Sequence, residues 1–210
     1  SESLRRGMAL HQAGNLDAAA AVYQDILDIV PACADALHLM GLIDHQRGSH
    51  EEAITKISQA IKIDPKVALY HTNLGRVLRA FGQDGEAVTA YREALVLAPD
   101  QADVHSDLAA ALVALGDYAA ARTRAHRALE LDPSMAEAHL NLGLAYQGMD
   151  GPDAAGAEDA LRAAISHDAN LAGAWLGLGI LMQAQGDTVA AADNYRRALD
   201  LDGGLVEAHV

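Results

Sequence analysis

The alternation of apolar and polar positions predicts two amphipathic helices in each unit of the chain. From residue 35 to residue 46 the apolar side chains lie at helical spacing, namely Leu39, Met40, Leu42 and Ile43. Gly48 then ends the first helix, because glycine readily adopts the left-handed conformation of a turn. A second apolar face runs from residue 51 to residue 63 and comprises Ala53, Ile54, Ile57, Ala60 and Ile61. Pro65 closes the second helix, since proline lacks an amide hydrogen and restricts the residue before it.

This pair of helices recurs every 34 residues. Four series show the period: Pro31, Pro65, Pro99 and Pro133; Gly7, Gly41 and Gly75; Gly14, Gly48, Gly82 and Gly116; Ala60, Ala94 and Ala128. The step from Gly143 to Gly179 is 36, so we expect two extra residues in the middle turn of the fifth unit, around residues 149–153. The predicted repeats are approximately 1–33, 34–67, 68–101, 102–135, 136–171 and 172–205, and residues 206–210 are predicted to begin a truncated seventh repeat.

Small residues inside the first helices predict close helix contacts. Glycine in a helix interior costs about 0.8–1 kcal/mol relative to alanine, so a packing gain must offset it. We expect the backbones of the two helices to approach each other there, with alanines on the second helix and large side chains filling the remaining gaps. The large residues are Tyr23, Ile57, Tyr91, Leu161 and Tyr195. In the fourth unit, Ala109 and Ala125 take the two positions and suggest looser packing.

The composition indicates an all-α protein with an acidic surface. Ala and Leu favour helix, aromatic residues make up only 4% of the chain, and the net charge is −14. A nucleic-acid-binding protein normally needs a basic face, so this class is not expected. The single cysteine, Cys33, excludes an internal disulfide framework, and we expect a cytoplasmic protein without membrane insertion.

The repeats resemble the tetratricopeptide repeat, whose pattern is Trp-x2-Leu-Gly-x2-Tyr, then Ala-x3-Phe, then Pro. The sixth unit carries Trp175, Leu178, Gly179, Met182, Ala191 and Tyr195 in this order, and the fifth carries His139, Leu142, Gly143, Tyr146, Ala157 and Leu161. Three departures are visible. Ala169 and Gly203 replace the proline, and Asp44 replaces the aromatic residue, where we expect it to pair with Arg47.

The resemblance implies a right-handed superhelix (α-solenoid) whose first helices line a concave groove for a peptide or a partner protein. Mapped onto this sequence, the groove comprises His38, Leu42, His45, Thr72, Asn73, Arg76, Arg79, Ser106, Asp107, Asn141, Leu144, Gln147, Ile180 and Gln183. Arg76 and Arg79 share one face of a helix, and there they either anchor a partner carboxylate or form a solvated pair. The full residue set of the carboxylate-clamp class is not present.

Asn73 and Asn141 occupy equivalent positions in two repeats. They resemble the asparagine ladder in the tetratricopeptide arm of bacterial O-GlcNAc-transferase-like glycosyltransferases, in which the amides hold the peptide backbone. The chain is therefore interpreted either as a free interaction scaffold or as the substrate-recruiting region of such an enzyme. A scaffold that assembles with itself through open solenoid ends is the third alternative.

No catalytic or metal-binding motif stands out in the sequence. A nucleophile elbow, a phosphate-binding glycine loop and a His-Glu-x2-His motif are all missing. His71, His105 and His139 occupy the position of Trp175, and we interpret them as packing residues, since successive repeats place them far apart. The chain is predicted to be a non-enzyme without cofactor or metal that binds protein or peptide.

Overall fold

The computed structural model describes residues 2–149 and 153–204, and these residues form twelve α-helices and no β-strand. The helices are α1 (Glu2–Gln12), α2 (Leu16–Ile29), α3 (Ala34–Gln46), α4 (His50–Ile63), α5 (Ala68–Ala80), α6 (Asp84–Leu97), α7 (Ala102–Ala114), α8 (Tyr118–Leu131), α9 (Ala136–Gly148), α10 (Ala154–His167), α11 (Ala172–Ala184) and α12 (Thr188–Leu201). The all-α prediction is confirmed. The predicted seventh repeat at 206–210 and residues 150–152 of the fifth turn lie outside the described residues.

The chain divides into two compact units, Ser1–Pro99 and Asp100–Val210, each built from three helical hairpins. Within a unit, the second helix of one hairpin packs against the first helix of the next, as α2 does on α3 and α8 on α9. The first helices also contact one another, whereas no comparable contact joins the second helices in the described part of either unit. The first helices therefore lie on the inner side of each unit.

The turn inside each hairpin depends on a glycine with positive φ. Five of these turns are three residues long and contain a glycine with φ between 75° and 83°, namely Gly14, Gly48, Gly82, Gly116 and Gly186. The turn between α9 and α10 spans residues 149–153 instead, and its first residue, Met149, is extended at φ −71° and ψ 150°. The two extra residues therefore fall between α9 and α10.

Replacing Gly48 by alanine is expected to lower the free energy of unfolding by about 1–2 kcal/mol, since φ is 81° and the left-handed region is costly for residues with a Cβ. No neighbouring atom lies within 4 Å of the position of an added Cβ, so the effect comes from the backbone alone. Thermal unfolding followed by circular dichroism measures it. Gly48→Asn is the control, because asparagine tolerates this conformation better; equal stability of the two variants would contradict the prediction.

The predicted approach of small residues to the neighbouring helix is confirmed. A Cβ added to the glycine of the first helix would lie 2.3–2.8 Å from a side-chain carbon of the second helix in five hairpins. The pairs are Gly7 with Tyr23, Gly41 with Ile57, Gly75 with Tyr91, Gly143 with Leu161 and Gly179 with Tyr195. In the fourth hairpin, Ala109 and Ala125 are both fully buried in one cluster with Leu142 and Ala160. A methyl group on the first helix is thus accompanied by a smaller residue on the second, and looser packing at this site stays a prediction.

The ends of the second helices keep one geometry even where proline is replaced. Asp168 and Asp202, which precede Ala169 and Gly203, both have ψ of 99°, close to the 96° of Asp132 before Pro133. In all three turns the aspartate carboxylate accepts a hydrogen bond from the backbone N–H two residues later, at 2.9–3.0 Å. This side-chain turn holds the chain where proline is missing.

The expected pairing of Asp44 with Arg47 is wrong. The Asp44 carboxylate accepts a 2.5 Å bond from Lys56 on α4, while Arg47 pairs with Asp17 on α2. The Asp44 side chain is only 15% exposed, and a carboxylate that is buried to this extent is costly unless a cation pairs with it. Lys56 provides that cation from the facing helix α4. Arg47 follows the helix at its C-terminal end and turns toward the preceding repeat instead.

Candidate functional site

The fourteen residues predicted to form the groove lie on α3, α5, α7, α9 and α11, all of them first helices. Their exposure divides them into three groups. Four are buried, namely His38, Thr72, Ser106 and Asn141. Seven are half-buried: Leu42, His45, Asn73, Arg79, Asp107, Leu144 and Gln147. Arg76, Ile180 and Gln183 are exposed.

The two asparagines use their amide groups within the protein. Asn73 Nδ2 donates to His38 Nε2 of the preceding repeat at 2.9 Å. Asn141 Nδ2 lies 3.1 Å from the backbone oxygen of Ser106 and 3.3 Å from its hydroxyl, again one repeat earlier. These bonds tie successive first helices together. Each of the two amides that the family resemblance assigns to a peptide backbone therefore already has at least one acceptor in the chain.

His38 is the centre of a buried polar network between α3 and α5. Its side chain is 3% exposed and its ring lies 4.6 Å from that of Tyr70, centroid to centroid. The Tyr70 hydroxyl donates to the Asp35 carboxylate, and burial together with this bond raises the pKa of Tyr70. Burial lowers the pKa of His38 to about 4, although the nearby negative charge of Asp35 acts in the opposite direction. The imidazole is therefore neutral at physiological pH and accepts the Asn73 hydrogen bond through Nε2.

The basic and imidazole groups on the inner side of the first unit differ in their surroundings. His45 Nδ1 lies 3.0 Å from His50 Nδ1, and desolvation followed by the charge of His50 lowers the pKa of His45. The Arg79 guanidinium lies 3.6 Å from the Asp84 carboxylate. Arg76 is exposed, and two turns away on the same helix lies Leu69, 54% exposed, a residue that the predicted groove did not include. Arg76 is thus the more exposed of the two predicted arginines.

The second unit has an aliphatic surface on its first helices. Two glycines on α11 lie next to leucines of α9. A Cβ added at Gly173 would be 3.2 Å from Leu140 Cδ2, and one added at Gly177 would be 3.5 Å from Leu144 Cδ2. Leu176 and Ile180 neighbour the glycines on α11, and Ile180 is 42% exposed. We call Leu140, Leu144, Leu176 and Ile180 the aliphatic patch.

Polar groups lie beside the aliphatic patch but are already hydrogen-bonded. Gln147 Nε2 donates to the backbone oxygen of Gly177 at 2.8 Å. Gln183 Oε1 accepts from the Tyr195 hydroxyl at 2.6 Å, which leaves its amide N–H group for other acceptors. Gly173 and Gly177 do not recur with the 34-residue period, so the sequence pattern does not place them in the site.

Two of the three histidines in the tryptophan position share a structural role with Trp175. His71 Nε2 and His139 Nε2 each donate to the proline carbonyl six residues earlier, at 3.0 Å, and Trp175 Nε1 donates to the Ala169 carbonyl at 2.9 Å. Because a carbonyl only accepts, the histidines carry their proton on Nε2. Across residues 2–149 and 153–204, no three His, Cys, Asp or Glu side chains form a group that could hold a metal ion.

Comparison with known families agrees with this architecture. A family model described as "TPR repeat" matches residues 41–80, 75–116 and 110–150, and a second, described as "Tetratricopeptide repeat", matches residues 3–35. The chain belongs to the tetratricopeptide repeat family. Tetratricopeptide repeats generally mediate protein–protein interactions. None of the described helices is long and apolar enough to cross a membrane.

Solved tetratricopeptide proteins share the fold at low sequence identity. PilF of Pseudomonas aeruginosa is 20% identical, with a TM-score of 0.80 over 99% of this chain and 94% of that chain. PilW, a type IV pilus biogenesis factor, is 18% identical, with a TM-score of 0.81 over 99% and 95%. YrrB, described as having an unusual peptide-binding site, is 19% identical, with a TM-score of 0.67 over 89% and 95%. No curated protein matches the chain.

Proposed function

We propose that this tetratricopeptide protein is a non-catalytic scaffold that binds a peptide or partner protein on the inner face of its first helices. The aliphatic patch of the second unit carries the proposal. Ile180 on α11 is 42% exposed and lies one turn from Leu176, so an apolar partner side chain can bury it at a gain of about 25 cal/mol per Å² of apolar surface. Gly173 and Gly177 have no side chain, so they do not cover the aliphatic patch.

Polar groups on the first helices of each unit can orient a segment that is bound to that unit. In the first unit, the exposed Arg76 offers a planar guanidinium to a partner carboxylate or carbonyl. In the second unit, the Gln183 amide offers N–H donors next to Ile180. Asn73 and Asn141 have a different role in this proposal, since their amides join neighbouring repeats and fix the positions of the first helices.

The acidic character of the chain supports a protein partner rather than nucleic acid. The net charge of −14 disfavours a polyanion, because phosphate contacts need a concentration of Lys and Arg. The single cysteine fits synthesis in a reducing compartment, and we propose the cytoplasm as the location.

The aliphatic patch is tested by placing a charge on it. Ile180→Asp is expected to lower capture of the partner by about tenfold or more, because burying an isoleucine contributes about 1.5–3 kcal/mol and the carboxylate must be desolvated. The measurement is quantitative affinity capture by the full chain with mass spectrometry, followed by titration of each recovered partner against the purified variants.

Val189→Asp is the matched control for this experiment. Val189 is 75% exposed and lies on α12, a second helix, so the same charge change there is expected to leave capture unchanged. Circular dichroism verifies that both variants keep their helical content. A partner that binds the Ile180→Asp variant as tightly as the wild type, or that is lost equally with Val189→Asp, would exclude the aliphatic patch as the site.

A further inference from the structure

A cavity of about 530 Å³ lies between α4, α5 and α6, away from the inner face of the first unit. Its apolar lining is formed by Ile54 and Ile61 on α4, Leu74 and Leu78 on α5 and Ala90 on α6. Leu74 and Leu78 are one turn apart, whereas Arg76 lies on the opposite side of the same helix. The cavity is therefore separate from the surface to which the proposed function assigns the partner. Its volume falls in the range of known ligand pockets, about 300–1,000 Å³.

The size of this cavity depends on two positions of the repeat, which are occupied by Leu78 and Ala90 in the third hairpin. In the fifth hairpin, the position of Leu78 is occupied by Tyr146, whose hydroxyl lies 3.3 Å from His126 Nε2. In the second hairpin, the positions of Leu78 and Ala90 are occupied by Asp44 and Lys56, which form an ion pair. The sixth hairpin has Met182 at the same position and a smaller cavity of about 250 Å³. Larger or paired side chains thus occupy these positions in the second and fifth hairpins, and the equivalent cavity of the sixth hairpin is smaller.

Acidic side chains lie along one edge of this groove. Glu86 and Glu93 are seven residues apart on α6, so they are about 10 Å apart along the same edge. Both are exposed, and neither forms an ion pair with any residue that the structure describes. Lys62 on α4 stands at the opposite edge. The groove therefore combines an apolar floor with two carboxylates that can accept hydrogen bonds from cationic side chains.

We propose that this groove binds a peptide segment of a partner protein in which apolar side chains are flanked by basic residues. The apolar side chains fill the space that Tyr146 fills in the fifth hairpin. The flanking lysine or arginine side chains, which are long and flexible, pair with Glu86 and Glu93 at the edge of the groove. This is a second binding surface, formed mainly by second helices, in addition to the inner face.

The test uses the full chain labelled with ¹⁵N and the synthetic hexapeptide acetyl-Gly-Lys-Leu-Phe-Lys-Gly-amide. Titration is expected to shift the amide resonances of Leu74, Leu78 and Ala90 with a dissociation constant below 1 mM, which corresponds to about 4 kcal/mol. Leu78→Tyr is expected to weaken binding by about tenfold or more, because the tyrosine occupies the groove as Tyr146 does. The double variant Glu86→Gln/Glu93→Gln is expected to weaken it severalfold and to remove most of its salt dependence.

Two controls separate this proposal from the proposed function and from unfolding. Met182→Tyr makes the same change in the sixth hairpin and is expected to leave the affinity unchanged, and a peptide with glutamate in place of both lysines is expected to bind at least severalfold more weakly. Shifts centred on Arg76 or Ile180, unchanged affinity of a folded Leu78→Tyr variant, or no shifts at all at millimolar peptide would overturn the proposal. None of these outcomes depends on partner capture by the inner face.

Discussion

Replacing Tyr91 by alanine is expected to lower the free energy of unfolding by about 3–5 kcal/mol. The substitution Gly75→Ala is expected to lower it by about 1–3 kcal/mol. Tyr91 is fully buried, and a Cβ on Gly75 would lie 2.5 Å from its Cε1 and 2.7 Å from its Cδ1. Because the ring is fully buried, we expect this overlap to outweigh the advantage of about 1 kcal/mol that alanine has over glycine inside a helix. Urea unfolding followed by circular dichroism measures both changes.

The two substitutions are expected not to be additive. Once Tyr91 is alanine, the Cβ at residue 75 fills part of the cavity, so Gly75→Ala becomes neutral or stabilising in that background. The pair then reproduces the Ala109–Ala125 contact of the fourth hairpin, in which both residues are fully buried. The coupling free energy is expected to be about 1–3 kcal/mol.

Gly85→Ala is the matched control for the glycine substitution. Gly85 lies on the neighbouring helix α6, is exposed, and has no atom within 4 Å of an added Cβ, so alanine there is expected to be neutral or to stabilise by up to about 1 kcal/mol. Additive effects at residues 75 and 91, or equal effects of Gly75→Ala and Gly85→Ala, would show that the glycine does not serve helix contact.

Acidification from pH 6.5 to pH 4 is expected to remove about 3 kcal/mol of stability through His38 alone. The folded chain holds the pKa of this imidazole at about 4, against 6.5 in the unfolded chain, because the ring is buried. The unfolded state therefore takes up the proton first as the pH falls. The loss is absent above about pH 6.5, grows between the two pKa values and is complete below about pH 4.

The variant His38→Gln tests this pH dependence, because glutamine can accept the Asn73 hydrogen bond but does not titrate. Urea unfolding at several pH values is expected to show a slope between pH 6.5 and pH 4 that is smaller by the contribution of one proton. His126→Gln, the same substitution at an exposed ring, is the control for the loss of an imidazole elsewhere in the chain. An identical slope for His38→Gln and the wild type would contradict the assignment.

Helical periodicity predicts which helix each candidate residue lies on, but it does not predict how exposed the residue is. The repeat positions correctly placed all fourteen predicted groove residues on first helices, since the 34-residue period and the apolar spacing define which helix is which. The exposure of these residues could not be predicted from the repeat positions, because it depends on contacts with the neighbouring repeat. His38 and Asn141, for example, are polar in the sequence but buried by the next and the preceding first helix, respectively. The cavity at Leu78 likewise depends on what three separate helices leave unfilled.

Features that depend on a single hairpin could be predicted from the sequence. The sequence by itself determined the helices, the glycine turns and the small-to-large pairs such as Gly75 with Tyr91, because each follows from backbone conformation or from the volume available between two adjacent helices. Only the tertiary structure decided that Asp44 pairs with Lys56, that Asn73 is used by His38 and that the groove beside Leu78 stays open. Those outcomes depend on the distances between side chains from different helices, and the 34-residue period does not specify such distances.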